Sequence, residues 1–238
     1  MSKFWQVALK QHWAIEADLT QLDGEYDLNF LAEAAGQGYV LKVMRAGCDA
    51  AFVALQCGAF EHIASKAPEV PVPNVVKTSS GAHYATVVDE AGEARLVWVL
   101  EKCEGRVYAA ARPKTLALVG EVGAKLGAMD RALSDFAHPA LARDFKWNLM
   151  QAGWIGDALD TIAEPERRAL LVEIITQYEA ALPALNALPQ VAIHNDLNDY
   201  NILVSGSLQC PPHVTGLIDL GDICASPRIC DLAIACAY

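Results

Sequence analysis

The period of apolar and polar positions changes several times along this chain, and each change marks an element. Residues 1 to about 47 alternate short apolar runs with turn residues at Asp23-Gly24, Gly36-Gln37-Gly38 and Ala46-Gly47, the pattern of a small antiparallel sheet. Tyr26 to Ala34 and Gly38 to Met44 read as a hairpin about Gly36-Gln37-Gly38. Asp49 to Lys66 has helical spacing through Phe52, Val53, Leu55, Phe60 and Ile63, and stops at Pro68. The rigid Pro71-Val72-Pro73 link leads into a strand pair, Val75 to Lys77 and Tyr84 to Val88, then into the strand Leu96 to Leu100. Directly after it, Glu101-Lys102-Cys103-Glu104-Gly105 turns abruptly polar, the best domain boundary in the chain.

Beyond Arg112 the pattern is helical. Leu116, Val119, Val122, Leu126, Met129 and Leu133 recur at intervals of three and four, and Pro113 suits a first turn. Gly120, Gly123 and Gly127 weaken that helix intrinsically, which predicts close approach of a neighbouring element. Asp144 to Leu159 reads as a second helix or helix-turn with Trp147 and Trp154 as core aromatics, and Pro165 to Leu182 as a third helix ended by Pro183. Three short apolar runs follow, Val191 to Ile193, Ile202 to Val204 and Gly216 to Ile218, each reading as a buried strand. Asp231 to Ala235 opens another helix.

Composition narrows the class. With 238 residues, 53% of them hydrophobic, the chain is long enough for a packed core. A formal charge of -11, from 18 basic and 29 acidic residues, argues against a nucleic-acid or anionic-membrane partner. Seven cysteines without a C-x-x-C pair suggest buried thiols in a reducing cytosol rather than a disulfide framework or zinc site. The first ten residues lack the charged-then-apolar order of a signal peptide, and no apolar run reaches the ~20 residues that a membrane span needs. The expectation is a soluble, cytoplasmic protein.

The three C-terminal strands carry polar residues that a mere core would not tolerate. His194-x-Asp196-x-x-x-x-Asn201 and Asp219-Leu220-Gly221-Asp222 offer carboxylates and a carboxamide at adjacent strand ends. Oxygen donors of this kind suit Mg2+, and a carboxylate left off the metal can accept a hydroxyl proton, the division of labour that phosphoryl transfer requires. Lys42, the one charge in an apolar strand, has two readings on its own: it snorkels from a sheet edge, or it points into a cleft to meet an anion.

His194-Asn195-Asp196-Leu197-Asn198-Asp199-Tyr200-Asn201 resembles the catalytic loop, and Ile218-Asp219-Leu220-Gly221 the metal loop, of the aminoglycoside phosphotransferase and choline kinase superfamily, distant relatives of protein kinases. The resemblance implies an α+β, protein-kinase-like two-lobed fold: an antiparallel-sheet nucleotide lobe over residues 1–100, a hinge at 101–105 and a mainly helical lobe over 106–238. It implies Asp196 as the base, His194 as a brace of its loop, and Asn201 and Asp219 as magnesium ligands. It moves Lys42 to the cleft, against the phosphates of ATP, with Gln56 where the usual helix glutamate stands and Glu61 five residues later. Gly24 and Glu25 fall in the phosphate-covering turn, and Glu101 and Cys103 fall where backbone groups meet adenine. Asp231 matches the acidic residue that braces the catalytic loop, whereas Asp199 and Asp222 read as solvated loop charges.

Leu28-Asn29-Phe30, Asn195 and Pro71-Val72-Pro73 look most like the hydroxylysine-kinase-like branch, sometimes fused to aminotransferase domains. The implied acceptor is a small metabolite with a hydroxyl and an amine. The helices that usually complete the acceptor pocket are not found before Tyr238, so an alternative is a nucleotide-binding regulatory module of a larger or fused protein. A metal-dependent hydrolase built on His194 is the weaker third reading, because the other histidines lack metal-ligand spacing.

Overall fold

The computed structural model describes residues 2–24, 26–206 and 210–238. It opens with helix α1, Ser2–Trp13, followed by strands β1 (Asp18–Leu22), β2 (Leu28–Ala34) and β3 (Gln37–Val43). The helix corrects the expectation of sheet throughout the first 47 residues. Trp5, Ala8, Leu9 and Trp13 are spaced for one helical face, and all four are buried. They pack on Phe30, Ala32, Leu41, Val43, Val97 and Val99, the residues that alternate onto one face of the sheet. Each large side chain so covered contributes roughly 1.5–3 kcal/mol.

Helix α2 (Ala50–Lys66) is capped by Asp49, whose side chain accepts the Ala51 N–H, and covers the other face of the sheet. Strands β4 (Val75–Val76), β5 (Tyr84–Val88) and β6 (Ala94–Glu101) complete a six-stranded antiparallel sheet in the order β1-β2-β3-β6-β4, with β5 also on β6. β4 and β5 therefore pair with β6, not with each other as the sequence suggested. Across β2, β3 and β6, Asn29, Lys42 and Trp98 stand in register on the face toward α2, opposite the α1 face.

The chain leaves the sheet through residues 102–105, where the Lys102 N–H donates to Gly38 O. Gly105 is required there: its φ is +128°, and a Cβ would lie 2.6 Å from Thr215 Oγ1 and 2.8 Å from Val204 O. β7 (Arg106–Val107) then pairs with a strand far along the chain. Helix α3 (Leu116–Ala132) is capped by Thr115, so Pro113 lies ahead of the helix rather than in its first turn. Leu118, Leu126 and Met129 of α3 are buried, but Leu116 and Val119 are exposed. A Cβ at Gly120 or Gly123 would meet nothing within 4 Å, so these glycines do not admit a close neighbour.

Residues 139–161 form short 3-10 turns around α4 (Trp154–Asp157), so of the helix or helix-turn expected over Asp144 to Leu159 only this single α-helical turn is present. Trp147 and Trp154 are exposed, contrary to their reading as core. Helix α5 (Pro165–Asn186) buries none of its residues and runs through Pro183. In an exposed last turn, water can satisfy the carbonyl that a proline nitrogen leaves free. Strands β8 (Gln190–Ile193), β9 (Ile202–Ser205), β10 (His213–Leu217) and β11 (Cys224–Pro227) pair as β10-β9-β7 and β11-β8, and α6 (Arg228–Cys236) follows. Cys57, Cys224 and Cys230 are buried, whereas Cys210 and Cys236 are exposed. Among the described residues no helix is long and apolar enough to cross a membrane.

Candidate active site

The ends of β8 and β10 set the site. β8 delivers His194 to Asp196, β10 delivers Ile218 and Asp219, and the Ile218 N–H donates to Asn201 O at 2.9 Å, tying the two loops together. His194 is buried, and its ring bridges them as well. Its Nδ1 accepts the Asp196 N–H at 3.2 Å, so Nε2 carries the proton and donates it to Ile218 O at 3.0 Å. Behind the loop, Asp231 of α6 accepts the N–H groups of His194 and Asn195 at 2.9 and 2.8 Å. This clamp holds Asn195 at a φ of +66°, a left-handed conformation that costs most residues roughly 1–2 kcal/mol and Asn or Asp the least. Asp219 has the same geometry, at +64°.

The Asp196 carboxylate accepts Asn198 Nδ2 at 3.0 Å and Asn201 Nδ2 at 2.8 Å. Burial raises its pKa, against the hydrogen bond from Asn198. Across from it, Lys42 Nζ lies 3.3 Å from Asp219 Oδ2 and 5.5 Å from the centre of the Trp98 ring. The ammonium holds the Asp219 carboxyl below the usual carboxylate range. Asp222 is not a solvated loop charge: burial, then Asp196 and Asp219, push it up to about 6. Asp199 likewise pairs with Lys114, at 3.3 Å.

Lys42, Gln56, Gly24, Asp196, Asp219 and Asp222 line one cleft of about 1210 Å3, with Arg143 and Trp147. That volume exceeds the common range for a single small ligand and leaves room for two. Gln56 is buried, and its amide donates to Phe52 O of its own helix. Glu61 pairs with Lys77 and His83, so the ion pair of Lys42 is with Asp219 and not with a carboxylate of α2. Gly24 stands where a Cβ would lie 2.4 Å from Asp27 O, so a tight turn needs glycine there. Glu25 lies outside the described residues. Glu101 and Cys103 sit outside the cleft lining, where the Glu101 carboxylate accepts Gln37 and Asn74 side chains at 3.2 and 2.8 Å. Asn201 stands behind Asp196 and also donates to its backbone carbonyl at 2.8 Å.

Sequence reasoning passed over Arg143 and Asp130. Arg143 donates to the carbonyls of Ile223 and Gly221 and stacks on Phe52 and Phe145 at 5.0 and 4.5 Å, supporting the 219–223 turn from the cleft side. It lies in a segment without periodicity, so no pattern singled it out.

Solved structures with this fold include an amicoumacin kinase in complex with AMP-PNP and Ca2+, with a TM-score of 0.68 and 17% identity over 98% of this chain and 67% of that one. A microcompartment-associated aminopropanol kinase superposes with a TM-score of 0.66 and 22% identity, covering 98% of this chain and 73% of the other. The hydroxylysine kinase of Xenopus laevis is 33% identical over 139 residues, 54% of this chain and 36% of that protein. The hydroxylysine kinase of Danio rerio is 25% identical over 225 residues, 89% of this chain and 62% of that protein. This chain thus spans between about a third and two-thirds of the length of such relatives. A model of the Phosphotransferase enzyme family matches residues 18–238, and the chain belongs to that family.

Proposed function

We propose that this protein transfers the terminal phosphoryl group of ATP to a hydroxyl of a small amine-bearing metabolite, an amino alcohol or a hydroxy amino acid resembling hydroxylysine. The observation that carries the reading is one cleft holding a carboxylate fixed by two side-chain amides, Asp196, opposite a lysine–aspartate pair, Lys42 and Asp219. Asp196 takes or orients the acceptor's hydroxyl proton, and its raised pKa makes it a better base than a free aspartate. Lys42 exchanges part of its contact with Asp219 for phosphate oxygens. Relatives named as hydroxylysine kinases and a structural neighbour named as an aminopropanol kinase favour a small amine-bearing acceptor over an antibiotic.

The donor set fits Mg2+. Asp219 and Asp222 lie close enough for one to perturb the other, Lys42 compensates only part of their charge, and both offer hard oxygen ligands, while Asp196 stays off the metal as the base. The Asn201 amide nitrogen is committed to Asp196, which leaves its carbonyl oxygen for a cation beside the Asp219 carboxylate. When bound, the ion neutralises charge on the transferring phosphoryl group.

Incubation with Mg-ATP and a panel of amino alcohols and hydroxy amino acids is expected to release ADP with at least one acceptor. Asp196→Asn should lower that turnover by at least about a hundredfold. Equal turnover by the variant would remove Asp196 as base. A second reading, a nucleotide-binding module without turnover, draws on the absence of a carboxylate partner for Lys42 from α2; it predicts that ATP and magnesium raise the melting temperature with no ADP formed.

A further inference from the structure

We propose that Asp130 is a positioning residue for the loop that carries Asp196, and that it does so by holding a proton which it donates to Asp231. Asp130 lies in α3 and Asp231 in the first turn of α6, and both are buried, at 4% and 0% exposure. The two side chains meet where α3 packs on α6, and the Asp231 carboxyl acts on that of Asp130. Two ionised carboxylates in such an enclosure would repel strongly, so contact requires a proton between them. The proton's owner follows from the partners. Asp231 accepts two backbone N–H groups, those of His194 and Asn195, and so presents a lone pair of each oxygen to a donor; Asp130 Oδ1 has no hydrogen-bond partner. Asp130 is therefore the neutral acid and Asp231 the carboxylate, with the Asp130 O–H as its third donor.

The other charged and titratable groups facing the pair are Arg131 on α3, Arg228 and Cys230 on α6, and Cys224 on β11. The arginines oppose protonation but do not overcome burial and Asp231, and the Asp130 carboxyl is pushed up to about 8. Above that range the proton passes to solvent and two anions face each other. Asp231 can then relieve the repulsion only by shifting away from α3, and its shift carries the His194 and Asn195 amides, and with them Asp196.

The kinetic part of this inference rests on Asp196 as base; the thermodynamic part does not. The full chain is compared with Asp130→Asn, which keeps a donor for Asp231 but cannot ionise, and with Asp130→Ala, which has none. In the unfolded chain Asp130 ionises near about 4, so the folded state alone retains its proton between about 4 and 8. Stability contributed by the protonated group is lost as pH rises through that window and is constant above it. The melting temperature of the wild type relative to Asp130→Asn should therefore fall from pH 5 to 8 and then level off; parallel curves would overturn the proposal. Carboxyl 13C titration of the wild type gives a second measure, and a resonance of Asp130 moving in the ordinary aspartate range would also overturn it. With an acceptor in hand, wild-type kcat should fall roughly tenfold per unit above the transition, Asp130→Asn should keep its neutral-pH kcat there, and Asp130→Ala should be slow throughout with an unchanged KM for ATP. An identical alkaline limb in Asp130→Asn would sink the positioning role. Absence of turnover in every variant would instead count against the kinase reading and leave the melting and NMR results to decide Asp130.

Discussion

Residues 194–201 and residues 144–161 reach the same cleft, the first through Asn195 and Asp196 and the second through Asp144 to Trp147 and Leu149, and are built in opposite ways. In the first, a buried acid takes two backbone N–H groups, a buried imidazole bridges two loops, and three asparagine and aspartate side chains bond one another. In the second, the backbone winds through short turns and two tryptophans face solvent. Asn148 donates to Ala225 O, and Phe145, Leu149 and Met150 pack on a small cluster of Ile193, Cys224 and Cys230. The group that does chemistry must be held to within fractions of an ångström, whereas a wall that greets an acceptor need only be the right shape and charge. A single bond joins the two, from Asn195 Nδ2 to Trp147 O at 3.2 Å.

Substitutions can break this contrast in order of size. Asp231→Ala should hurt most, because it strands two buried N–H donors at about 1–3 kcal/mol each. The melting temperature should drop by roughly 5–20 °C, and a melt unchanged from wild type would show that the loop needs no clamp. Lys42→Met should leave folding intact and lower kcat/KM for ATP by roughly 10–100-fold, the worth of a charge-assisted contact. The pH profile comes next. Asp222, pushed up to about 6, loses its negative charge as pH falls through that value, so kcat/KM for Mg-ATP should decline on the acid side near pH 6. Asp222→Asn should flatten that limb and lower the plateau. Trp147→Ala should do least, raising the acceptor KM by about 2–5-fold with a melting temperature within about 1–2 °C of wild type. A loss of stability rivalling that of Asp231→Ala would erase the distinction between the two segments.

The sequence made the first segment legible and hid the second for a physical reason. Phosphoryl transfer constrains both residue type and spacing, so His194, Asp196, Asn201 and Asp219 stand out from a single chain. Strands β3 and β6 are legible because their runs are short, bounded by turn residues and rich in valine and aromatics, which favours a strand over a buried helix. α1 was misread because its buried stripe, Trp5 to Trp13, is only two turns long and lies beside true strands. Trp147 and Trp154 read as core because large aromatics usually are, while nothing local reports that the turns around them leave them outside. Asp130 belongs to no motif in the sequence; its meaning depends on Asp231, a hundred residues away and visible only in three dimensions.

If Lys42 meets phosphate as proposed, its contact with Asp219 makes nucleotide binding an exchange rather than a simple gain. The resting cleft is already bridged from the sheet to the loops below it by one ion pair, 3.3 Å long. An incoming polyphosphate must compete for the ammonium while its cation compensates the carboxylate set free, so neither half of a metal–nucleotide complex profits much without the other. On that reading the cleft would favour the intact metal–nucleotide complex over bare nucleotide or bare metal.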